Sequence, residues 1–330
     1  MNNTIKMNNT IKMNDTIKMN DNNIKKSGII HKLVRKKILE YVKPGVLLYD
    51  IRKNIETWIC EYSNSTPNTY DYINSSIAFP VGLSINNIAA HHSPFFQDKT
   101  VYTENDILKI DYGIQFNGEM VDAAFSITHN PELEKLKEIS EEATNKVIKL
   151  SGVDTVLGDL GREIEEIFTS YELEINGKLY PIKPCRDLCG HQILPYKIHG
   201  KKVIPNINIS YQNRMAEGEI YAVETFPTTG SGHLKEGKGN SHLMINYNIV
   251  GNDKYKKIPT YKRIMDKRKT LPWHLDWLVA EPYMNLKELR LLIDEGLVTE
   301  YPPLYDIESS YVAQTEHTIG IFENGVVQYT

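Results

Sequence analysis

Two runs, ILKIDYGIQF from Ile107 and EMVDAAFSIT ending at Thr128, flank the pair Asn117-Gly118. Both central positions of a tight hairpin turn need positive φ, and Asn-Gly supplies it, so the pattern predicts a β-hairpin. Counting outward from the turn pairs Phe116 with Glu119, Gly113 with Asp122 and Asp111 with Ala124. Asp111 and Asp122 then lie diagonally on one face, roughly 7 to 8 Å apart at the backbone. Either aspartate alone reads as a solvated strand residue. Two on one face among Ile110, Tyr112, Val121 and Ala123 repel each other unless a cation sits between them.

The rest of the chain alternates helical and strand periodicity. From Gly28 the pattern is helical, with Ile30, Leu33, Val34, Ile38 and Tyr41 on one stripe and a stop at Lys43-Pro44-Gly45. A second helix carries Leu48, Ile51, Ile55 and Ile59 and ends in the polar run from Ser63 to Asn68. Short strands, among them Ile77 to Pro80, and the stretch INNIAAHHSP lead into the hairpin. Asn130-Pro131 caps a helix to about Leu150, and Asp154 opens another with Leu157, Leu160, Ile164 and Phe168 inward. Strands return around Asn176-Gly177 and over Glu219 to Phe226, Ser241 to Asn248 and Tyr311 to Phe322.

The order helix, helix, strands thus occurs twice. It predicts an α+β protein of two halves whose sheets meet, with helices outside and a site in the shared cleft. Residues 251–300 read as a Lys-rich helical insertion, whose last helix has Asn285 as cap, Glu288 three residues on and Gly296 as stop. The first 26 residues repeat a hexamer, MNNTIK, too short and polar to offset its ordering entropy. They are expected to form a disordered tail in front of a catalytic domain over 27–330.

With 330 residues, 41 % hydrophobic and 24 % charged, the chain can bury one large core or two moderate ones. A net charge of −4 gives no broad attraction to nucleic acid or an anionic membrane. No apolar run approaches a membrane span, and the Asn- and Lys-rich start lacks the apolar core of a secretory signal, so a cytoplasmic protein is expected. Cys60, Cys185 and Cys189 match no disulfide framework and read as reduced thiols.

Three further residues carry candidate chemistry: His191 in CGHQILPYKIH, Glu224 in EIYAVETF and Glu316 in VAQTEHTIGIF. Each Glu interrupts a strand pattern, where it is either exposed at an edge or a ligand. Taken singly, His191 and His199 read as hydrogen-bonded or loop histidines. Taken with Asp111 and Asp122, the set of four carboxylates and an imidazole suits two divalent ions such as Mn, Fe, Co or Zn.

The stretches AFPVGLSINNIAAHHSP, KIDYG with VDAAFS, GHQILPYKIH, YAVETF and YPPLYDIESSYVAQTEHT, with the helical insertion, resemble the type 2 methionine aminopeptidases from about Gly28 to Phe322. The resemblance implies a pita-bread fold and metal ligands at Asp111, Asp122, His191, Glu224 and Glu316. Asp122 and Glu316 would bridge both ions, His191 and Glu224 would complete one, and Asp111 would chelate the other. A bridging hydroxide would then attack the scissile carbonyl. His91 would contact the scissile amide nitrogen, His199 would polarise the carbonyl oxygen, and Glu224 would also relay a proton. Phe79, Ile198, Phe226, His242, Tyr301 and Leu304 would line the methionine pocket.

The implied activity is removal of the initiator methionine from nascent polypeptides whose next residue is small, by a monomer. Two departures stand out. A short Asn-rich repeat replaces the charged amino-terminal extension of similar eukaryotic members, which weighs against ribosome association. His92 lies outside the motif and reads as a surface neighbour without a role. The alternatives are a proline-directed peptidase on the same fold, disfavoured by the insertion, and a metal-free interaction protein, disfavoured because no ligand is lost.

Overall fold

The computed structural model describes residues 21–65, 75–248, 255–279 and 285–330. Its first sheet orders Gly82–Ile85, Ile107–Phe116 and Glu119–Thr128, all antiparallel. The hairpin register is the one counted from the turn: Phe116 opposes Glu119, Gly113 opposes Asp122 and Asp111 opposes Ala124. Asn117 and Gly118 sit at φ 53° and 83°, the backbone region that Asn and Gly tolerate best.

Helices Asp21–Tyr41 and Leu48–Ser63 cover one face of this sheet. Val34, Ile38, Ile51 and Ile55 share a core with Leu108, Ile110 and Tyr112. Each such fully buried aliphatic side chain contributes about 1.5–3 kcal/mol relative to exposure.

The first helix corrects two expectations. The disordered tail was expected to reach residue 26; residues 1–20 lie outside the described residues, but residues 21 to 26 are helical. Tertiary contact overrides the weak local pattern there, because Ile24 is buried and the Tyr329 hydroxyl donates to Asp21 Oδ1 at 2.7 Å. Leu33 is exposed, and the buried stripe runs instead through Ile24, Ser27, Gly28, His31, Val34 and Ile38. Gly28 is needed because a Cβ there would lie 2.4 Å from the Tyr329 carbonyl oxygen.

His31 docks this helix on the hairpin. Its ring stacks on Tyr112 at 4.0 Å between centroids, and the Tyr112 hydroxyl donates to the His31 carbonyl. Burial, with Arg35 nearby, lowers the His31 pKa from 6.5 to about 3. The native ring stays neutral while the unfolded one takes a proton near 6.5, so its stability contribution is full above 6.5 and is lost as pH falls toward 3. In His31→Phe the fall of stability below pH 6.5 should be shallower by about 1.4 kcal/mol per pH unit. Urea midpoints from pH 7 down to about 4.5 measure it, and equal slopes would show that His31 titrates freely in the fold.

The second sheet orders Gly325–Gln328, Thr315–Phe322, Ile220–Thr225, Cys189–Ile193 and Val203–Pro205. Helices Pro131–Leu150 and Leu157–Thr169 cover it, with Leu136, Val147, Leu160 and Ile164 in one core with Tyr221, Val223, Ile319 and Ile321. The first of these helices starts as expected, with Pro131 at its first turn and the Asn130 side chain accepting from Glu132 N. The second does not start at Asp154, which sits at φ 66° in the preceding turn and donates its N–H to Met215 O; Leu157 is the first helical residue.

Two hydroxyls zip the sheets together. Thr318 Oγ1 accepts from Asp122 N at 2.7 Å and donates to Asp122 O at 2.6 Å. Ser126 Oγ accepts from Gln314 N at 2.8 Å and donates to Gln314 O at 2.9 Å. The strands Glu119–Thr128 and Thr315–Phe322 therefore lie side by side through side chains, and each sheet's central carboxylates face a common seam.

The insertion is less helical than expected. It contributes helices Pro259–Lys267, Leu275–Val279 and Leu286–Asp294, the last capped by Asn285 and stopped at Gly296 with φ 71°. It also contributes strands Trp273–His274 and Val298–Tyr301, which flank His242–Ile245 on either side. Buried Arg268 ties it to the first half by donating to the carbonyls of Ile77 and Ala78, and it also donates to Pro272 O within the insertion. Residues 249–254 and 280–284 of this region lie outside the described residues. Cys60, Cys185 and Cys189 form no disulfide, and no described helix is long and apolar enough to cross a membrane.

Candidate functional site

Strand geometry gathers the five sequence-singled acids and imidazole at the seam. Glu224 stands directly opposite Glu316, and Ala222, two residues before Glu224, stands opposite His191. Side chains two apart on a strand share a face, so His191, Glu224 and Glu316 emerge together. Asp111 and Asp122 meet them from the other sheet. Behind the sheet the outer helix fixes the strands: Ser140 Oγ donates to Thr225 O, and Thr144 Oγ1 to Thr315 O.

Ligand-capable atoms of Asp122, His191 and Glu316 all lie within 4.8 Å of one another. His191 Nε2 is 3.5 Å from Asp122 Oδ2. Gln314 adds a bridge the sequence reading did not assign: its Nε2 donates to Glu224 Oε2 at 3.2 Å and to Asp111 Oδ2 at 3.4 Å. Asp111 and Glu224 are half-buried, and the other three are buried.

Burial raises the pKa of Asp111, Glu224 and Glu316 well above the usual carboxylate range, and the Asp122 charge adds to each. Asp111 Oδ1, Asp122 Oδ1, His191 Nδ1 and both Glu316 carboxylate oxygens are buried with no hydrogen-bond partner. Each such orphan costs about 1–3 kcal/mol, and more when charged. Hard oxygen donors plus one imidazole, left unpaired and facing one another, fit divalent cations. The residues present therefore suit a metal centre.

A cavity opens onto this cluster. Its walls include Phe79, His91, Ile198, His199, Phe226, His242 and Tyr301 of the expected residues. Leu304 is not among the cavity's walls; it pairs with the wall residue Ala90 on one side and with Glu236 on the other. Gly82, Ala90, Leu188, Met244 and Pro272 also line the cavity and were not anticipated. Met244 was legible, two residues beyond His242 on the same strand face. Leu188 and Pro272 come from irregular segments with no periodic signal.

Three imidazoles of the cavity, His91, His199 and His242, are held neutral by burial. Burial lowers His91 to about 4 even though its ring donates to the Pro302 carbonyl. Burial also lowers His199, with His191 and His91 adding to the effect, and His242, with His91 adding. His199 stands edge-on to His191 at 4.4 Å between ring centroids, while His91 lies 5.9 Å from the rings of both His242 and Tyr301.

Three comparisons bear on this arrangement. The sequence matches metallopeptidase family M24 over residues 22–250. It is 41 % identical over 310 residues to a protein named methionine aminopeptidase 2 from Saccharomyces cerevisiae, covering 90 % of this chain and 72 % of that one. Methionine aminopeptidase 2A of Arabidopsis thaliana is 38 % identical over 305 residues, covering 90 % and 67 %. The fold superposes on a crystal structure of methionine aminopeptidase from Thermotoga maritima with a TM-score of 0.64 at 18 % identity, covering 95 % of this chain and 98 % of that one. The architecture is thus the pita-bread fold that the sequence motifs implied.

Proposed function

The chain belongs to metallopeptidase family M24, and from that membership we propose that it is a methionine aminopeptidase, an exopeptidase that removes N-terminal methionine from polypeptides whose second residue is small. The observation that carries this reading is the cavity in which an apolar and aromatic wall adjoins the buried carboxylate cluster. Its proposed setting is the cytoplasm, its substrates the N-termini of nascent polypeptides.

In this reading Asp111, Asp122, His191, Glu224 and Glu316 would together hold two divalent ions, with Asp122, His191 and Glu316, whose ligand atoms lie within 4.8 Å of one another, at the centre of the set. Mn, Fe, Co and Zn all suit such donors. When bound, the ions lower the pKa of water so that hydroxide exists near neutral pH. The protein's own groups do the rest. Phe79, Ile198, Phe226 and Tyr301 take the methionine side chain and exclude water. His199, kept neutral by burial, donates to the scissile carbonyl oxygen as it gains negative charge. His91 donates one ring nitrogen to Pro302, which leaves the other as an acceptor for the scissile N–H. Glu224 would take the proton given up by the attacking water and hand it to the departing amine.

The substrate assignment is tested with metal-loaded protein on Met-Ala-Ser and on Gly-Pro. Release of methionine from the first with no hydrolysis of the second is expected, and the reverse preference would make the protein a proline-directed peptidase.

The pocket also makes a glycine prediction. A Cβ at Gly113 would lie 2.3 Å from Phe79 Cε1 and 2.8 Å from Val121 O, so Gly113→Ala must push the Phe79 ring out of place. The expected result is a rise of about tenfold in KM for Met-Ala-Ser with a lowered melting temperature. An unchanged KM would remove Phe79 from the methionine pocket.

A further inference from the structure

His91 sits at φ 63°, in the left-handed region that a residue bearing a side chain rarely occupies. Such a conformation persists only where its surroundings enforce it. Its ring is tethered to Pro302, but that bond does not fix the backbone from which the ring projects.

The next residue does. His92 takes both main-chain groups of Leu83: Leu83 N donates to the His92 carbonyl at 2.6 Å, and the His92 ring donates through Nδ1 to the Leu83 carbonyl at 2.7 Å. A carbonyl only accepts, so this contact also fixes the ring tautomer. Leu83 belongs to the strand Gly82–Ile85, and its neighbour Gly82 lies opposite Asp111. The clamp therefore references the His91 backbone to the strand pair that carries a metal-binding carboxylate. A second hold lies two residues beyond His92, where Arg52 Nη1 donates to Pro94 O at 2.6 Å.

We propose that His92 is a positioning residue, whose ring locks the left-handed turn at His91 and so aims the His91 imidazole at the scissile amide. The proposal rests on the reading of His91 given above. It assigns a role to a residue outside the recognisable motifs and makes no demand on the charge of His92.

The test compares His92→Leu, His92→Asn and His91→Asn as full-length, metal-loaded proteins on Met-Ala-Ser. An Asn amide nitrogen overlays the imidazole Nδ1, so His92→Asn keeps the donor to Leu83, whereas Leu removes it. The proposal expects His92→Leu to lose about tenfold in kcat with KM within about twofold of the native value. It also expects unchanged metal stoichiometry and recovery of most of kcat in His92→Asn. His91→Asn should lose at least as much kcat as His92→Leu. Should His92→Leu be recovered unfolded, His92→Ser, too short to reach Leu83, takes its place with the same expected loss.

A kcat in His92→Leu near native, beside a clear loss in His91→Asn, overturns the positioning role. So does an equal loss in His92→Leu and His92→Asn, because the hydrogen bond would then not be the cause. No loss in His91→Asn overturns the underlying reading of His91, an outcome separable from the other two.

Discussion

Asp122→Asn is expected to abolish turnover and high-affinity metal binding together. Asp122 is buried within 4.8 Å of His191 and Glu316 through its ligand atoms, and its charge raises the pKa of Asp111, Glu224 and Glu316 alike. It is therefore the electrostatic centre of the cluster. A neutral amide offers one weak oxygen donor where a carboxylate offers two charged ones. Metal ions contribute several kcal/mol of transition-state stabilisation at such sites, so the loss of rate should be at least about a thousandfold. Without metal the same substitution relieves repulsion among buried like charges, so the stripped variant should melt no lower than stripped native protein. Adding Mn(II) should raise the melting temperature of the native chain and leave the variant unmoved. Turnover near native in the variant would remove Asp122 from the metal centre.

Arg52→Met is expected to cost about 3 kcal/mol of stability, the low end for breaking a buried ion pair, because Glu56 keeps a second cation in Lys53, whose Nζ lies 3.1 Å from Oε2. Arg52 and Glu56 are both almost wholly inaccessible and pair at 2.8 Å. The guanidinium also donates to Asp276 and contacts His274 Nε2, while Glu56 Oε1 accepts from Trp277 Nε1. One ion pair thus joins the second helix, the segment after His92 and the insertion. The double variant Arg52→Met with Glu56→Leu should recover much of the loss, because apolar side chains satisfy a buried site without desolvating charge. Denaturant midpoints decide it: a double variant less stable than the single one would show that the pair's geometry, and not its burial, carries the cost.

The same residues show where a linear sequence is legible. Asp111 and Asp122 could be placed on one face because an Asn-Gly turn fixes the register of a hairpin to the residue. Glu224 and Glu316 stood out because a charged residue interrupts a buried strand pattern. Their direct opposition could not be read, since it depends on pairing between strands about ninety positions apart. Arg52 and Glu56, four apart on a helix, have the spacing of a solvated surface pair, and only the insertion folding over them makes them a core pair. The strand Trp273–His274 is too short to show any period, so the insertion looked wholly helical. Asp21 to Lys26 carry a polar sequence that resembles the repeat before them, and contacts with the far end of the chain make them helical. His92 was opaque for a related reason: its partner Leu83 is reached across a loop, where neither periodicity nor motif points.

The most direct test is metal-dependent release of methionine. The protein is stripped by chelation, titrated with Mn(II), and assayed on Met-Ala-Ser at each addition. The expected result is no release from the stripped protein and a rate that saturates by about two equivalents per chain. A stripped protein that retains its rate, or one that no ion restores, would contradict a metal-dependent aminopeptidase built on Asp111, Asp122, His191, Glu224 and Glu316.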